Sequence, residues 1–273
     1  MTRIALFQAQ TGISPEANAH ALVQAVGGAA DGGAHMLFTP EMSGLLDRDS
    51  ARAERHRFDE ADDPVLAAVQ DAAHRHGIWV HLGSLAVRSE NDKLANRGFV
   101  IDPNGLIKGR YDKLHLFDVD LPSGESWRES AVYARGEEAV IVTGTPVGNL
   151  GLTICYDLRF PALYARLAEA GADVIAIPAA FTVPTGRAHW HVLMRARAIE
   201  AGLFIVAAAQ SGRHEDGRDT YGHSLVVDPW GEVLLDAEGQ VGVHFAEIDL
   251  KRIEEVRRSL PALHHRRPIP EVQ

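Results

Sequence analysis

Residues 149–161, "NLGLTICYDLRFP", contain Cys155, the single cysteine of this 273-residue chain. An apolar run leads into Cys155, and a polar and then helix-like stretch follows it, which predicts a strand that ends at the thiol. A cysteine that only fills a core needs no such position, whereas a nucleophile is well placed at the end of a strand. The segment therefore suggests a catalytic thiol, with a buried structural cysteine as the alternative.

Working outward from this segment, strand-like and helix-like stretches alternate, which predicts an α/β fold. Helices are expected where a capping residue and proline open an apolar pattern and glycine closes it. The predicted helices are 14–33, 63–77, 160–171, 186–202 and 250–260. The predicted strands lie in 3–10, 35–41, 78–87, 98–117, 147–155, 172–179, 203–210, 223–237 and 241–250.

A short turn sequence occurs twice: "DPNG" at 102–105 recurs as "DPWG" at 228–231, each between strand-like flanks. This repeat hints at two similar halves, which two facing sheets with helices outside would accommodate. No linker long or polar enough to separate domains is visible, so residues 1–273 are expected to form a single domain.

Composition excludes several classes of partner. Acidic residues outnumber basic ones by 37 to 27, giving a formal charge of −10, which argues against nucleic acid or an anionic membrane surface. No apolar run approaches the roughly 20 residues of a membrane span. The opening "MTRIALFQAQ" lacks signal-peptide anatomy, and one cysteine cannot form an intramolecular disulfide. These features predict a cytoplasmic protein.

Three ionisable residues share one kind of position. Glu41 ends "MLFTPE", Lys113 ends or closely follows the strand in "LIKGRYDK", and Cys155 ends "LGLTIC". Sites in α/β sheets gather beyond the carboxyl ends of strands, so these three side chains can converge. An ammonium would lower the pKa of the thiol, and a carboxylate can accept its proton.

The same residues suggest acyl transfer without a metal or cofactor. Lys113 and the backbone N–H of Tyr156 are candidate donors to the oxyanion of a tetrahedral intermediate. Glu41 would then activate the attacking water. Taken singly, Cys155 could fill the core, Glu41 could cap a loop and Lys113 could be a surface charge.

Five blocks of the sequence together resemble one known family. They are "LFTPEMSG", "YDKLHLFDVD", "LTICYDLRFP", "GRAHWHVLMRARAIE" and "YGHSLVVDPWGEV". In this order they resemble the nitrilase superfamily of carbon–nitrogen hydrolases, most closely its Nit branch of amidases, from residue 4 to about 267.

This resemblance implies a Glu–Lys–Cys triad, which falls on Glu41, Lys113 and Cys155. It implies a four-layer α-β-β-α sandwich and homodimers that pair α-layers into eight layers. It also implies a second glutamate that orients the lysine, placed at Glu129 in "SWRES". The neighbouring glutamates 125, 137 and 138 remain alternatives for that role.

The sequence departs from the expected pattern at one position. Where the Nit branch suggests "HWE", this chain reads "HWH", with His191. The histidine pairs 74/76 and 189/191 are spaced i, i+2, which does not put both on one helix face, so no metal site is predicted. The tail, about 260–273, is expected to be solvated or to pack at a dimer interface.

A Cys–His–Asp hydrolase is the rival mechanism, with His115 or His189 as base and Asp157 as the orienting residue. For substrate binding, arginine suits a carboxylate because its planar fork binds bidentately. Arg213, in the long polar loop 207–224, is the first candidate, and Arg159 is the second.

The resemblance implies an amidase that hydrolyses a small linear carboxamide to a carboxylate and ammonia. The stretch around "GRH" at 212–214 resembles deaminated glutathione amidases more than omega-amidases acting on 2-oxoglutaramate or succinamate. A catalytically silent homologue used for binding or assembly is the alternative of another class.

Overall fold

The computed structural model describes residues 1–89, 93–120, 124 and 126–272. Its helices are α1 (Pro15–Asp31), α2 (Ser50–Glu54), α3 (Pro64–His76), α4 (Pro161–Glu169), α5 (Val183–Ala201) and α6 (Lys251–Ser259). The strands in the first half are β1 (Thr2–Gln8), β2 (Met36–Phe38), β3 (Trp79–Arg88), β4 (Leu94–Ile101), β5 (Ile107–Asp112), β6 (Asp118–Asp120) and β7 (Ser126–Arg128). Those in the second half are β8 (Ile141–Thr145), β9 (Gly148–Leu152), β10 (Val174–Ala176), β11 (Phe204–Ala207), β12 (Ser211–Arg213), β13 (Asp219–Tyr221), β14 (Leu225–Val227), β15 (Val233–Asp236) and β16 (Gly242–Ile248).

Most strands belong to two six-stranded sheets with the same internal plan. The first has the order β16-β1-β2-β3-β4-β5, and the second has the order β15-β14-β11-β10-β9-β8. In each sheet three central strands run parallel, β1-β2-β3 in one and β9-β10-β11 in the other, and antiparallel strands flank them. Parallel neighbours require crossover helices, which α1, α3, α4 and α5 provide.

The repeated turn sequence occupies matching places in the two sheets. "DPNG" joins β4 to β5 and "DPWG" joins β14 to β15. In the first turn the Asp102 carboxylate accepts the backbone N–H groups of residues 104 and 106. In the second, the Asp228 carboxylate accepts those of residues 230 and 232. The repeat in the sequence therefore reflects one turn geometry used at equivalent hairpins.

Two hydrophobic clusters define the layers. One packs α1 and α3 against one face of the first sheet through residues such as Leu22, Val69 and Leu82. The other joins the opposite face of that sheet, including Leu6, to the second sheet and to α4 and α5. The order is helix, sheet, sheet, helix, which confirms the α-β-β-α sandwich with two sheets and helices outside.

The helix ends follow the local sequence. Asp63 caps α3 by accepting the N–H groups of residues 65 and 66, and Gly77 closes that helix with φ +64°. Helix α5 begins at Val183, three residues before the expected start, because Pro184 fits the first turn of a helix. Within the described ranges, no helix combines the length and apolar character needed to cross a bilayer.

His81 is a buried titratable group in β3, packed near Phe38 with ring centroids 5.7 Å apart. Burial lowers the pKa of His81 from 6.5 to about 3. The folded state therefore binds a proton at His81 less readily than the unfolded state. The contribution of neutral His81 to the free energy of unfolding is complete above pH 6.5 and is lost as the pH falls towards 3.

We expect His81→Leu to flatten the acid dependence of folding. Urea unfolding at pH 7 and pH 4 should show about 3 kcal/mol less difference in the free energy of unfolding in this variant than in the parent, at 1.36 kcal/mol per pH unit. The exposed histidine of α1 gives the matched control, His20→Gln. An unchanged slope in His81→Leu would show that another group causes the acid sensitivity.

Candidate active site

The three residues at the predicted strand ends meet in the folded chain. Glu41 lies three residues beyond β2, Lys113 directly follows β5, and Cys155 lies three residues beyond β9. The first two leave the first sheet and the third leaves the second sheet. The facing of the two sheets therefore brings the carboxylate, the ammonium and the thiol together.

A glycine in β3 makes room for the segment that carries Glu41. A Cβ at Gly83 would lie 2.2 Å from the backbone oxygen of Thr39 and 2.4 Å from that of Pro40. The N–H of Gly83 donates to the Thr39 hydroxyl at 3.0 Å, which holds the segment against the strand. Only glycine allows this approach, and it sets the position of Glu41.

Lys113 is enclosed by two carboxylates. Its Nζ donates to Oε1 of Glu41 at 2.8 Å and to Oε2 of Glu129 at 2.9 Å, and the lysine side chain is only 2% exposed. Glu129 lies in a short 3-10 helix, Glu129–Ala131. Of the other glutamates considered for its role, 137 and 138 do not line the cavity described below, and 125 lies outside the described residues.

Sequence reasoning missed two groups that fix the carboxylates. The amide of Asn96, in β4, donates to Oε1 of both Glu41 and Glu129 at 3.0 Å each. The backbone N–H of Ala180 donates to Oε2 of Glu41 at 3.0 Å. The signal available for Asn96 was a polar residue in a mostly apolar strand.

Cys155 occupies a strained turn. It is buried, its backbone φ is +49°, and its N–H donates to the oxygen of Pro178 at 2.9 Å. A left-handed conformation is unfavourable for a residue with a Cβ, by about 1–3 kcal/mol, and such strain concentrates at functional sites. Cys155 also begins the 3-10 helix Cys155–Arg159, so the N–H of Tyr156 has no acceptor within that helix.

The pKa values of the three groups are interdependent. Burial opposes the charged forms of Glu41 and Lys113, but the pKa of Glu41 is lowered by the Lys113 charge and by hydrogen bonds, while neighbouring carboxylates raise that of Lys113. Burial and then the Glu41 charge raise the pKa of the Cys155 thiol, and Lys113 opposes this only in part. The expectation from the sequence that the Lys113 charge lowers the thiol pKa is therefore wrong, because burial and Glu41 outweigh that charge.

This arrangement holds a protonated thiol next to an ionised carboxylate. A buried base of this kind can take the thiol proton as sulfur attacks a carbonyl carbon, so no free thiolate is required beforehand. A buried ammonium lies in the same cluster and provides fixed positive charge.

The rival histidine arrangement serves another purpose. Nδ1 of His115 lies 2.7 Å from Oδ1 of Asp157, and the other carboxylate oxygen accepts the Tyr111 hydroxyl at 2.7 Å and the N–H of Ile154 at 2.9 Å. Asp157 thus ties the turn at Cys155 to the end of β5. Among the described residues, His115 and His189 are not part of the cavity lining.

The cluster lies in a cavity of about 540 Å³. Its lining includes Glu41, Lys113, Glu129 and Cys155. Five arginines also line it: Arg48, Arg57, Arg128, Arg159 and Arg218. The lining also includes Asp47, Asp63 and Asp219, so the cavity combines the catalytic cluster with a wall of mixed charge.

Four of these arginines already have acidic partners. Arg48 and Arg218 pair with Asp216, Arg57 pairs with Glu54, and Arg128 pairs with Asp120. No carboxylate within the described ranges lies within 4.0 Å of the Arg159 guanidinium, which instead lies over the rings of Tyr156 and Phe181 at 5.8 and 5.5 Å.

The structure places the two substrate-binding candidates differently. Arg213 is exposed, pairs with Asp219 at 3.4 Å and does not line the cavity, because β12 directs it to the surface. Arg159 lines the cavity four residues after the thiol. His191 also lies outside the cavity lining and contacts Asp236 at 3.0 Å, so the departure from "HWE" does not alter the cavity surface.

The chain matches the family described as "Carbon-nitrogen hydrolase" over residues 3–258. The chain belongs to the carbon–nitrogen hydrolase family. The resemblance to the nitrilase superfamily is thereby confirmed. Family membership identifies the chain as a hydrolase of carbon–nitrogen bonds.

Relatives of this hydrolase include a Deaminated glutathione amidase from Yersinia enterocolitica, 41% identical over 238 residues, which cover 86% of this chain and 82% of the relative. The crystal structure of the C. elegans NitFhit protein matches 97% of this chain with a TM-score of 0.90 at 37% identity, and 65% of that longer chain is covered. Saccharomyces cerevisiae Nit3, a member of branch 10 of the nitrilase superfamily, matches 95% of this chain and 94% of its own, with a TM-score of 0.84 at 25% identity.

Proposed function

We propose that the chain is an amidase that hydrolyses a small carboxylate-bearing amide through a thioester on Cys155. The observation that carries this proposal is the buried Glu41–Lys113–Glu129 cluster beside the sole thiol, at the wall of a cavity of about 540 Å³. The intact set also argues against a silent binding homologue, since that role requires none of these charges.

The proposed reaction has two halves. In the first, Glu41 takes the thiol proton as Sγ of Cys155 bonds to the amide carbon, and the same carboxyl returns a proton to the departing nitrogen. In the second, Glu41 takes a proton from water as the water oxygen bonds to the thioester carbon. The sulfur then leaves and regains this proton from Glu41. Lys113 and the N–H of Tyr156 are proposed to stabilise the oxyanion in both halves.

Glu129 is proposed to act as a positioning residue. It accepts two hydrogen bonds from Lys113 and one from the N–H of Phe117 at 2.7 Å. Its charge also favours the protonated lysine. Lys113 is thereby held in one place and one charge state, as an oxyanion donor requires.

Deaminated glutathione is the proposed substrate, because the relatives of 40–41% identity carry that activity in their names. In this molecule the scissile amide joins a 2-oxo acid to cysteinylglycine, so the leaving group is an amine. Release of ammonia, expected from the sequence, applies only to primary amides such as 2-oxoglutaramate and succinamate. A cavity of about 540 Å³ lies within the range of ligand pockets and is compatible with the larger substrate.

The test is a substrate panel measured by two readouts. Deaminated glutathione should give the highest kcat/KM, detected as cysteinylglycine, with 2-oxoglutaramate and succinamate behind it, detected as ammonia. A ranking led by the two primary amides would assign the chain to the omega-amidases instead. If none of the amides were hydrolysed, the result would support a catalytically silent homologue.

Arg159→Ala tests the carboxylate anchor. A charged hydrogen bond contributes roughly 1.5–3 kcal/mol, so kcat/KM for carboxylate-bearing amides should fall about 10- to 150-fold, at 1.4 kcal/mol per tenfold. Neutral amides such as butyramide should be largely spared.

The matched control is Arg213→Ala, which removes an exposed arginine outside the cavity and should change kcat/KM by less than a few-fold. The reverse ranking of the two variants would return the anchor to Arg213. If Arg159→Ala lowered kcat/KM equally for acidic and neutral amides, Arg159 would support the structure of the site and would not bind the substrate carboxylate.

We further propose that residues 1–273 act as one domain, since a single hydrophobic cluster spans both sheets. A homodimer is proposed through the α4–α5 layer, where Val192 and Ile199 of α5 are exposed apolar residues. The exposed Trp230 and Leu260 line a small cavity together with Ile199. Light scattering should give twice the mass of 29.7 kDa. The tail contacts α4 through Arg266 and Glu169, which places it beside this face.

A cytoplasmic location remains the expectation for a protein whose activity depends on a free thiol.

A further inference from the structure

Two histidines and one aspartate meet outside the catalytic cavity. Nε2 of His191 lies 3.0 Å from Oδ2 of Asp236, and Nδ1 of His223 lies 2.9 and 3.1 Å from Oδ1 and Oδ2 of the same carboxylate. All three ligand atoms lie within 4.8 Å of one another. We propose that this cluster is a binding site for one Zn²⁺ ion.

The donor set suits zinc better than the hard cations. Zinc sites commonly use imidazole nitrogen and carboxylate oxygen, including sets of two histidines and one carboxylate with a further position open. Calcium and magnesium instead require mostly oxygen ligands. The cluster offers two nitrogens and one carboxylate, and its side chains are 25–34% exposed, so an ion and a water molecule can enter from solvent.

The distances are close to those of a bound state. With ligands about 2.0–2.1 Å from zinc in a tetrahedron, neighbouring ligand atoms are about 3.3 Å apart. The nitrogen-to-oxygen distances in the cluster are 2.9–3.1 Å. An ion therefore needs to separate each nitrogen from the carboxylate by only a few tenths of an ångström while replacing the hydrogen bonds between them, and the two nitrogens already lie within 4.8 Å of each other.

The backbone holds His223 towards the carboxylate. Its φ is +56°, an uncommon value for a residue with a side chain. Its N–H donates to the oxygen of Glu238 at 2.6 Å, and its carbonyl accepts the indole N–H of Trp190 at 2.8 Å. These bonds fix the backbone of His223 independently of Asp236.

Helix α5 is held close to strand β13 and the adjoining His223. Tyr221 packs so tightly on Gly186 that a Cβ there would lie 2.2 Å from the tyrosine ring. The Tyr221 ring stacks on His223 with centroids 4.3 Å apart, while Oδ1 of Asp236 accepts the N–H of Glu238 at 2.8 Å. His191, on α5, thus faces ligands that are already in place.

Bound zinc would join α5 to the β14–β15 hairpin. The adjacent Trp190 packs on Phe181, with ring centroids 4.8 Å apart, and Phe181 lines the catalytic cavity. The ion would therefore stabilise the layer behind one cavity wall. It is not proposed to take part in amide hydrolysis.

The test begins with protein stripped by a chelator and titrated with Zn²⁺ in a calorimeter. We expect one equivalent to bind and the melting temperature to rise with zinc concentration, because an ion that binds the folded state stabilises it. His191→Gln, His223→Asn and Asp236→Asn each remove one ligand. Asparagine at 223 tolerates the left-handed backbone, and asparagine at 236 keeps an acceptor for the N–H of Glu238.

Each variant should bind Zn²⁺ at least about tenfold more weakly than the parent, since loss of even an outer-shell partner costs 10- to 100-fold in metal affinity. All three retain Cys155, so zinc taken up by the thiol cannot account for a difference. His20→Gln, on the opposite helix layer, should bind like the parent, and circular dichroism verifies folding of each variant. Absence of zinc binding by the parent, or parental affinity in any of the three ligand variants, would overturn the proposal.

Discussion

Cys155→Ala is expected to abolish amide hydrolysis while the protein stays folded. The variant lacks the atom that forms the thioester, and the carboxylate and ammonium alone provide no covalent route. In another hydrolase that forms a covalent acyl-enzyme, removal of the nucleophile lowers kcat by about 10⁶-fold. The measurement is single-turnover release of product at high enzyme concentration, together with circular dichroism.

Structural damage from this substitution should be small. The side chain loses one sulfur atom, and alanine fits a buried site, although the left-handed φ of +49° persists. Mass spectrometry of the parent after brief exposure to substrate should reveal an acyl adduct on Cys155, which the variant cannot form. A folded Cys155→Ala protein with substantial turnover would remove the thiol from the mechanism.

Glu41→Gln should lose about 10²–10⁴-fold in kcat, the usual contribution of a general base. The amide is nearly isosteric with the carboxylate but cannot accept the thiol proton, whose pKa is raised by burial and by Glu41 itself. The Glu41 charge is one cause of the raised thiol pKa, so its loss should lower that pKa, and the variant should gain activity at alkaline pH relative to neutral pH. A pH–rate profile checks both expectations.

Lys113→Met provides the comparison. It removes a proposed oxyanion donor, worth about 10²–10³-fold, and leaves Glu41 without the charge that lowers its pKa. Its remaining activity should therefore require a higher pH than that of the parent on the acidic limb. If either variant retained rates within a few-fold of the parent, the corresponding residue would lie outside the reaction.

Much of the site could be predicted from the sequence because its residues follow strands. Glu41, Lys113 and Cys155 stand at or just beyond the ends of strands, and sites in α/β proteins gather beyond the carboxyl ends of strands. The order of the elements did not show that Cys155 belongs to the second sheet, so the convergence also depends on how the two sheets face each other. The repeated turn sequence likewise indicated two similar sheets, because each copy joins equivalent hairpin strands.

Other parts depend on contacts that no local pattern encodes. Asn96 bonds Glu41 across 55 positions and Ala180 bonds it across 139. Arg213 and Arg159 were indistinguishable as charges, and only the direction of β12 separates them. His191 lies on α5, His223 lies between β13 and β14, and Asp236 ends β15, so the spacing of histidines along one helix could not reveal their meeting.

Because the catalytic cluster is divided between the two sheets, amide hydrolysis requires the sheets to be packed against each other, and activity therefore reports that packing. Glu41 and Lys113 extend from the first sheet, whereas Cys155 extends from the second. A polypeptide cut between β7 and β8 would leave each fragment with its own parallel strands and crossover helices but with only part of the chemistry. Turnover in a mixture of two such fragments would count reassembled molecules directly, and in mild denaturant it should vanish while most helical signal persists.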